Sequence, residues 1–569
     1  MNYLRAFRPT HVLVATLLTA TSVVAQTSTQ VALGKLFIAD TEQNVAKIPV
    51  ERGGDSKVVV QDVSIFSGQE FVNAILPFIG QPITLARANA LAGALKQFAV
   101  KQDRIVNIVL PYQLAGTQIM MSAEDASAGI LRLVAVVTRY NEMDIKGNRW
   151  FSNKLLRDKL GIRAGDEISI SRLDEAVNWA NTNPFRRLQV MLLPLEGRPE
   201  SANLIVGVVE RVPLRLFTSY DDTGNNVLGR RRYTGSIQYG NALGRDHQIS
   251  YQFGTTDHQG VFKAHSLNYQ IPFPSRHQLD LSASYLMVNP SFFGGVFNQT
   301  GRNLNLEAKY TLPLRGGDRP LEAFASASFK QNNNNLAYGG FNFGGLTDIF
   351  SVSGGISGIR RDKMGVWAYG FTLNVSPGNL NSRNTDDAFE GKTGASFFNT
   401  GRTGARARYA YGTASVQRLH NLEGGWQFVS RATLQLATTN LLGSEQFSIG
   451  GSGTVRGFDE RILAGDAGFA VSNDIQSPFI PIGTRFMPKR LPPLQARGLL
   501  FYDAGRVRAT HRTINDIKQY PLASAGFGVR MNFGVNFNLS ADYGWQITRI
   551  PPFYSSSRNR GHVKVVLAY

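Results

Sequence analysis

Val535-Asn536-Phe537-Asn538-Leu539-Ser540-Ala541-Asp542-Tyr543 sets Asn, Asn, Ser and Asp on one side of a strand and apolar residues on the other. The period is two throughout, which belongs to a pleated strand and not to a helix. Gln248-Ile249-Ser250-Tyr251-Gln252-Phe253 and Leu279-Asp280-Leu281-Ser282-Ala283-Ser284-Tyr285 repeat it. A water-soluble sandwich would bury the apolar face, whereas a membrane barrel turns that face to lipid and keeps the polar face inside. Sixteen such segments start near 214, 232, 246, 263, 277, 303, 321, 347, 364, 404, 424, 467, 495, 521, 535 and 562. Their connections mostly alternate: 242–245, 273–276 and 361–363 are short, while 288–302, 331–345 and 377–403 are long. Short turns on one side and longer loops on the other are the expected asymmetry of such a barrel. The connection 477–494 is too long for its side. An even strand number returns the C-terminus to the side of the N-terminus. The closing stretch His562-Val563-Lys564-Val565-Val566-Leu567-Ala568-Tyr569 largely alternates and ends on an aromatic residue.

Upstream of residue 212 the period changes. Val58-Val59-Val60 reads as a strand, 69–79 and 85–98 as helices, and 105–110 and 130–137 as two more strands. The second helix carries Leu91, Leu95 and Phe98 at helical spacing. The same order then recurs. Asp144-Ile145 lies in a strand, and residues 152–160 form a helix ended by Gly161. Ser171 caps a second helix, with Asp174 three residues on as a capping-box-like acid, and 188–195 and 202–212 follow as strands. One element order used twice is an internal repeat. The expected organisation is therefore 1–25, 26–52, 53–139, 140–212 and a barrel over 213–569. The first 25 residues have the order of a secretory signal peptide: Arg5 and Arg8, a mostly apolar 12–24, then Val23-Val24-Ala25. No later run of 18 or more apolar residues suits a membrane helix.

Composition narrows the chemistry. The 569 residues contain no cysteine, which excludes disulfides, thiolate metal sites and a cysteine nucleophile. Lys and Arg total 60 against 41 Asp and Glu, a net +19. No basic run exceeds Arg230-Arg231-Arg232, and a lumen lined by Arg and Lys accounts for the same excess, so nucleic-acid binding is not expected. Gly-x-x-x-x-Gly-Lys-Ser/Thr, Gly-x-Ser-x-Gly and His-Glu-x-x-His are absent, and the eight histidines are dispersed. Neither an enzyme nor a cofactor or metal site is expected.

Two clusters carry the functional reading. Gly450-Gly451-Ser452-Gly453-Thr454-Val455-Arg456-Gly457-Phe458 falls between the eleventh and twelfth candidate strands, and Phe501-Tyr502-Asp503-Ala504-Gly505 within the thirteenth. With period two, Leu500 and Tyr502 suit lipid, so Phe501, Asp503 and Gly505 face the lumen. A lumenal carboxylate is well placed to take an Arg from an infolded loop, and glycines let that loop approach the wall.

The Val-Arg-Gly-Phe loop paired with a Phe-x-Asp-x-Gly strand resembles the superfamily of barrel-assembly and two-partner secretion proteins. Asn178-Trp179, Asn183-Pro184-Phe185-Arg186, Asp222-Thr223-Gly224, Asn241-Ala242-Leu243-Gly244-Arg245-Asp246 and Ser444-Glu445-Gln446-Phe447 resemble its two-partner secretion branch, the TpsB transporters. The resemblance implies a mainly β fold: two periplasmic α/β POTRA domains before a 16-stranded transmembrane β-barrel. It further implies that Arg456 engages Asp503 inside the barrel, with Val455, Gly457, Phe458, Phe501 and Gly505 completing the lock. The implied partners are a secreted exoprotein with an N-terminal secretion domain, outer-membrane lipid, and the barrel-assembly machinery during biogenesis. The implied function is export of that exoprotein without ATP; a general barrel-assembly factor is the alternative. Candidate client pockets on the modules are Leu91, Leu95, Phe98, Leu173, Val177, Trp179, Asn183, Pro184, Phe185 and Arg186, although most of these also read as core. Leu110-Pro111-Tyr112-Gln113 matches a first-POTRA element, but fifteen residues separate it from Gly129, so the edge of that domain is open. Residues 26–54 are long enough for a pore-plugging helix, yet Pro49 and Gly53-Gly54 favour a linker.

Overall fold

The computed structural model describes residues 31–52, 54–115, 118–224, 228–258, 260–289, 291–292, 297–317, 319–338, 341–392, 401–482, 493–512, 520–551 and 557–569. The expected signal peptide, 1–25, lies outside the described residues.

The first module is a four-stranded sheet in the order Val58–Gln61, Lys35–Ala39, Ile130–Val137, Val106–Val109. Lys35–Ala39 pairs in parallel with both neighbours, which places it inside the sheet. This corrects the reading of 26–52 as linker or plug over its described part, 31–52; residues 26–30 lie outside the described residues. Leu36 and Ile38 pack on the side of the helix Leu85–Lys101, while Phe37 and Ala39 meet Val45 and Ile48 on the other. A strand buried on both faces is a short continuous apolar run with no alternation to read. Arg132 fastens the helix Glu42–Ala46 to the sheet. Its guanidinium donates to both oxygens of Asp125 at 3.0–3.1 Å and to the carbonyls of Val45 and Ile48. The fifteen residues before Gly129 build a small hairpin, Gln113–Ala115 with Gln118–Met120, and the helix Ala123–Ala128.

The second module repeats the plan with three strands in the order Arg139–Lys146, Arg198–Glu210, Arg186–Leu195. Ser152 caps the helix Asn153–Leu160, and Gly161 ends it in the left-handed region. The next helix, Ile170–Ala180, is capped by Ser169 and not by Ser171. Ser171 is drawn off by Asp103 of the first module, which accepts from its N–H and its hydroxyl at 2.7 Å each and also from the Ser169 hydroxyl. Partial burial pushes the Asp103 carboxyl up, but the Ser169 and Ser171 bonds and the nearby Arg104 outweigh that and hold it below the ordinary carboxylate range.

From Leu214 to Ala568 a single sheet closes on itself as sixteen antiparallel strands. The first strand, Leu214–Asp221, pairs with the last, Asn559–Ala568, from Phe217↔Ala568 to Asp221↔Lys564. The alternation selects the faces. On the thirteenth strand, Leu494–Arg508, Leu500 and Tyr502 are 65% and 49% exposed on the outside, while Phe501 and Asp503 are buried within. The seventh and eighth strands, Leu321–Tyr338 and Phe341–Asp362, run through the expected long connection 331–345. Asn332-Asn333-Asn334-Asn335 looks like loop, but its backbone pairs on both sides and the ladder overrides propensity. The connection expected over 477–494 is partly strand as well, because Ile480–Ile482 pairs with residues 494–496.

Candidate functional site

The eleventh and twelfth strands, Gln427–Ala437 and Ala467–Gln476, are joined by a long segment that folds inward. Its two arms pair as a small hairpin, Phe447–Ile449 with Leu463–Gly465, and Arg456 lies at the tip. The Arg456 guanidinium donates from Nε and Nη2 to the two carboxylate oxygens of Asp503, at 2.7 and 2.8 Å. Nη2 also donates to Asp474 at 2.6 Å and to the Ser472 hydroxyl at 3.0 Å. Its backbone N–H donates to Asp503 at 3.0 Å, and its guanidinium carbon stands 3.6 Å from the Phe501 ring centroid. The planar fork matches a carboxylate bidentately and stacks on an aromatic face, which a lysine ammonium cannot do.

The cluster is charge-balanced. Arg456, Arg431 and Arg530 face Asp503, Asp474 and Asp542, with Arg431–Asp474 at 3.2 Å and Arg530–Asp542 at 2.8 Å. Burying a guanidinium beside a single carboxylate would leave N–H donors unsatisfied; spread over the eleventh to fifteenth strands, of which the fourteenth is Leu522–Phe533 and the fifteenth Phe537–Gln546, the charges satisfy one another. Gly457 lets the tip close in. Its φ is +85°, and an added Cβ would lie 2.9 Å from the carbonyl of Gly544 on the fifteenth strand. Its N–H donates to Nε2 of buried His562, and its carbonyl accepts from Gln546. Val455 and Phe458 are fully buried among Ile449, Leu463, Val507 and Leu522. Gly505 leaves space for Val455, whose Cγ2 would stand 3.3 Å from a Cβ there.

Asp474, Asp542, Ser472 and His562 were not among the expected site residues. Asp542 sits on the polar face of the quoted fifteenth-strand stretch, so its lumenal direction was readable. Which lumenal carboxylates meet one loop tip depends on register across four strands, and that is not local information.

The residues expected to line client pockets are mostly interior. Leu91, Leu95 and Phe98 belong to the core of the first module, and Leu173, Val177 and Phe185 to that of the second. Side chains covered this fully offer no surface groove, which corrects that expectation. Asn183 is buried and its Oδ1 accepts from the Phe185 N–H at 3.0 Å, closing the turn after the helix. Arg186 is buried over the Phe151 ring, 4.5 Å from its centroid. Trp179 is half-buried beneath the Lys159 ammonium, and Pro184 is exposed.

Residues 200–531 match the family model described as haemolysin secretion/activation protein ShlB/FhaC/HecB. The chain is similar to an outer membrane transporter, CdiB of Dickeya dadantii, at 22% identity over 363 residues. That match spans 62% of this chain and 62% of the relative. Among solved structures, CdiB from Escherichia coli aligns with a TM-score of 0.70 at 15% identity, covering 97% of this chain and 93% of that one. CdiB from Acinetobacter baumannii gives 0.60 at 18% identity, with 96% and 91% covered. The family match covers more than half of a chain that folds as two POTRA-like modules and a sixteen-stranded barrel, and the chain belongs to the ShlB/FhaC/HecB family of haemolysin secretion/activation proteins, the TpsB branch.

Proposed function

We propose that this chain exports one large exoprotein with an N-terminal secretion domain from the periplasm through its barrel to the cell surface, by two-partner (type Vb) secretion without ATP. The observation that carries the reading is the Arg456 tip, held by ion pairs across the inside of a closed barrel. A polar seat in a polar lumen can exchange its partners for water or for a passing chain. Val455 and Phe458 on either side of Arg456 are packed in an apolar cluster, so release of the tip must expose that surface as well.

Capture of the client is assigned to sheet edges in place of the apolar pockets. Arg186–Leu195 is the edge strand of the second sheet, and Met191 and Leu193 beside that edge are 51% and 50% exposed. An unfolded client strand adding there would gain main-chain hydrogen bonds without a strict sequence requirement. Residues 1–25 are read as the export signal, and lipid and the barrel-assembly machinery as partners in biogenesis.

The test is a pull-down with residues 31–211 as bait against denatured periplasmic and culture-medium proteins. Capture of one large secreted protein through its N-terminal region supports a dedicated exporter. Capture of many unfolded barrel proteins would move the assignment to an assembly factor. Capture of nothing would remove the modules from client recognition.

A further inference from the structure

Two cations stand on the outside of the wall, where a membrane barrel presents apolar residues. The chain enters the first strand from the periplasmic side. The fourth strand, Phe262–Pro272, therefore descends from the cell surface, the fifth, Gln278–Val288, climbs to it, and the sixth, Phe297–Arg315, descends again. Leu267 on the fourth and Leu306 on the sixth oppose Ala283 of the fifth from either side, and both are exposed on the apolar face of the alternation. Four residues nearer the surface on each strand, and so on the same face, stand Lys263 and Arg302. Both oppose Met287, one from each side. Both are exposed, and among the described residues neither has an ion-pair partner.

Their depth follows from the aromatic residues. Near the periplasmic turns His247 meets the Tyr269 hydroxyl and His277 the Tyr310 hydroxyl, at 2.7 Å each. Toward the other end the Tyr220 and Tyr233 rings lie 5.5 Å apart, and the Tyr251 hydroxyl meets His265 at 2.8 Å. Amphipathic rings gather at the two membrane–water interfaces, on either side of an apolar band about 25 Å tall. At about 3.4 Å per residue and a tilt of about 40°, the climb from Tyr310 to Arg302 is about 20 Å, which puts both cations at the outer interface. A charge facing lipid is costly at the midplane and nearly free there. Backbones two strands apart are about 10 Å from one another, a gap that two long side chains can close onto one phosphate or leave open for two. The outer leaflet of a bacterial outer membrane is made of a glycolipid whose sugars are phosphorylated. We propose that Lys263 and Arg302 bind the phosphates of one lipopolysaccharide molecule, with Met287, Leu267 and Leu306 against its acyl chains. The guanidinium takes phosphate oxygens in pairs and the ammonium acts as a point charge. A lipid held there ties this sector of the wall to the outer leaflet, whatever the client.

The test titrates the purified full-length protein in detergent with lipopolysaccharide and counts bound lipid by native mass spectrometry. Each cation near an anionic lipid surface contributes about fivefold, so Lys263→Gln with Arg302→Gln is expected to weaken binding about thirtyfold. Lys263→Arg with Arg302→Lys keeps both charges and should keep most of the affinity. Arg360→Gln with Lys363→Gln removes the same charge at the periplasmic end of the eighth strand and should leave the affinity unchanged. Wild-type protein should bind the dephosphorylated glycolipid far more weakly, and inorganic phosphate at the same concentration should not compete. Unchanged affinity in the first variant, or an equal loss in the periplasmic-end variant, would overturn the site. Equal binding of phosphorylated and dephosphorylated lipid by wild type would overturn it as well, and that comparison stands even if a variant fails to fold. Competition by inorganic phosphate would overturn the assignment to a lipid.

Discussion

Arg456→Ala separates a lock from a structural pin. The substitution removes four charge-assisted donations within 3.0 Å, two to Asp503, one to Asp474 and one to Ser472. Asp474 keeps Arg431 at 3.2 Å, but among the described residues fully buried Asp503 retains only the backbone N–H of residue 456. Removing one member of a buried pair costs about 3–5 kcal/mol, because the remaining charge is stranded. At about 1.4 kcal/mol per tenfold, the seated tip would lose between about a hundred- and a few-thousand-fold in population. None of the wall's main-chain ladders passes through residue 456, so the barrel should still close. Outer-membrane accumulation, read as heat-modifiable mobility on a gel, is expected to stay near wild type while secretion of the client falls and channel conductance rises. Equal losses of assembly and secretion would refute the reasoning and make the pair purely structural. Arg456→Lys should fall between the two, since an ammonium reaches one carboxylate oxygen but not the bidentate seat.

Gly457→Ala should mimic Arg456→Ala in conductance with the charges intact, because the added methyl meets Gly544 and the left-handed backbone costs about 1–3 kcal/mol. Leu95→Ala and Leu173→Ala should each cost about 2–5 kcal/mol in urea unfolding, as core residues do; a loss of client binding with unchanged stability would reinstate the pocket reading. Asp103→Asn should weaken the junction of the two modules by about 1 kcal/mol at neutral pH. Since its folded pKa lies below the ordinary 3.8, the wild-type advantage is present above that value and is lost as pH falls through the folded pKa. Urea midpoints that differ equally at neutral pH and below pH 3.8 would contradict it.

Much of the barrel was legible because its signal is local. Each strand alternates by itself, and all sixteen starting points lie within a few residues of the observed strands except where Asn-rich or Gly-rich runs hid a continuing ladder. The infolded Arg and its wall carboxylate were equally legible, because Asp503 inherits its direction from Leu500 and Tyr502. Lys35–Ala39 was not, since a strand covered on both sides shows no period. The cap at Ser169 was missed in favour of Ser171 because the competing acceptor, Asp103, lies 68 residues away in another module.

The closure of the wall bears on the route of the client. A route sideways into lipid would require the first and last strands to part. Here those strands pair from Phe217 to Asp221, with further donations from Leu216 to Tyr569 and from Asp222 to Val563. Arg560 reinforces the junction from the last strand, donating to the carbonyls of Asp222 and Gly224 at 3.0 and 3.1 Å, and the Val563 N–H donates to the Asp222 carboxylate at 2.8 Å. Each main-chain group left unpaired in hydrocarbon costs several kcal/mol. Parting even half of this seam bares several main-chain groups to hydrocarbon, whereas unseating the tip bares its ion pairs and the Val455–Phe458 surface to a lumen lined by polar groups. The lower-energy opening is along the barrel axis, which favours an exporter over a lateral gate. If a cross-link between Thr218→Cys and Leu567→Cys, opposite one another across the seam, stopped secretion, the axial route would be excluded.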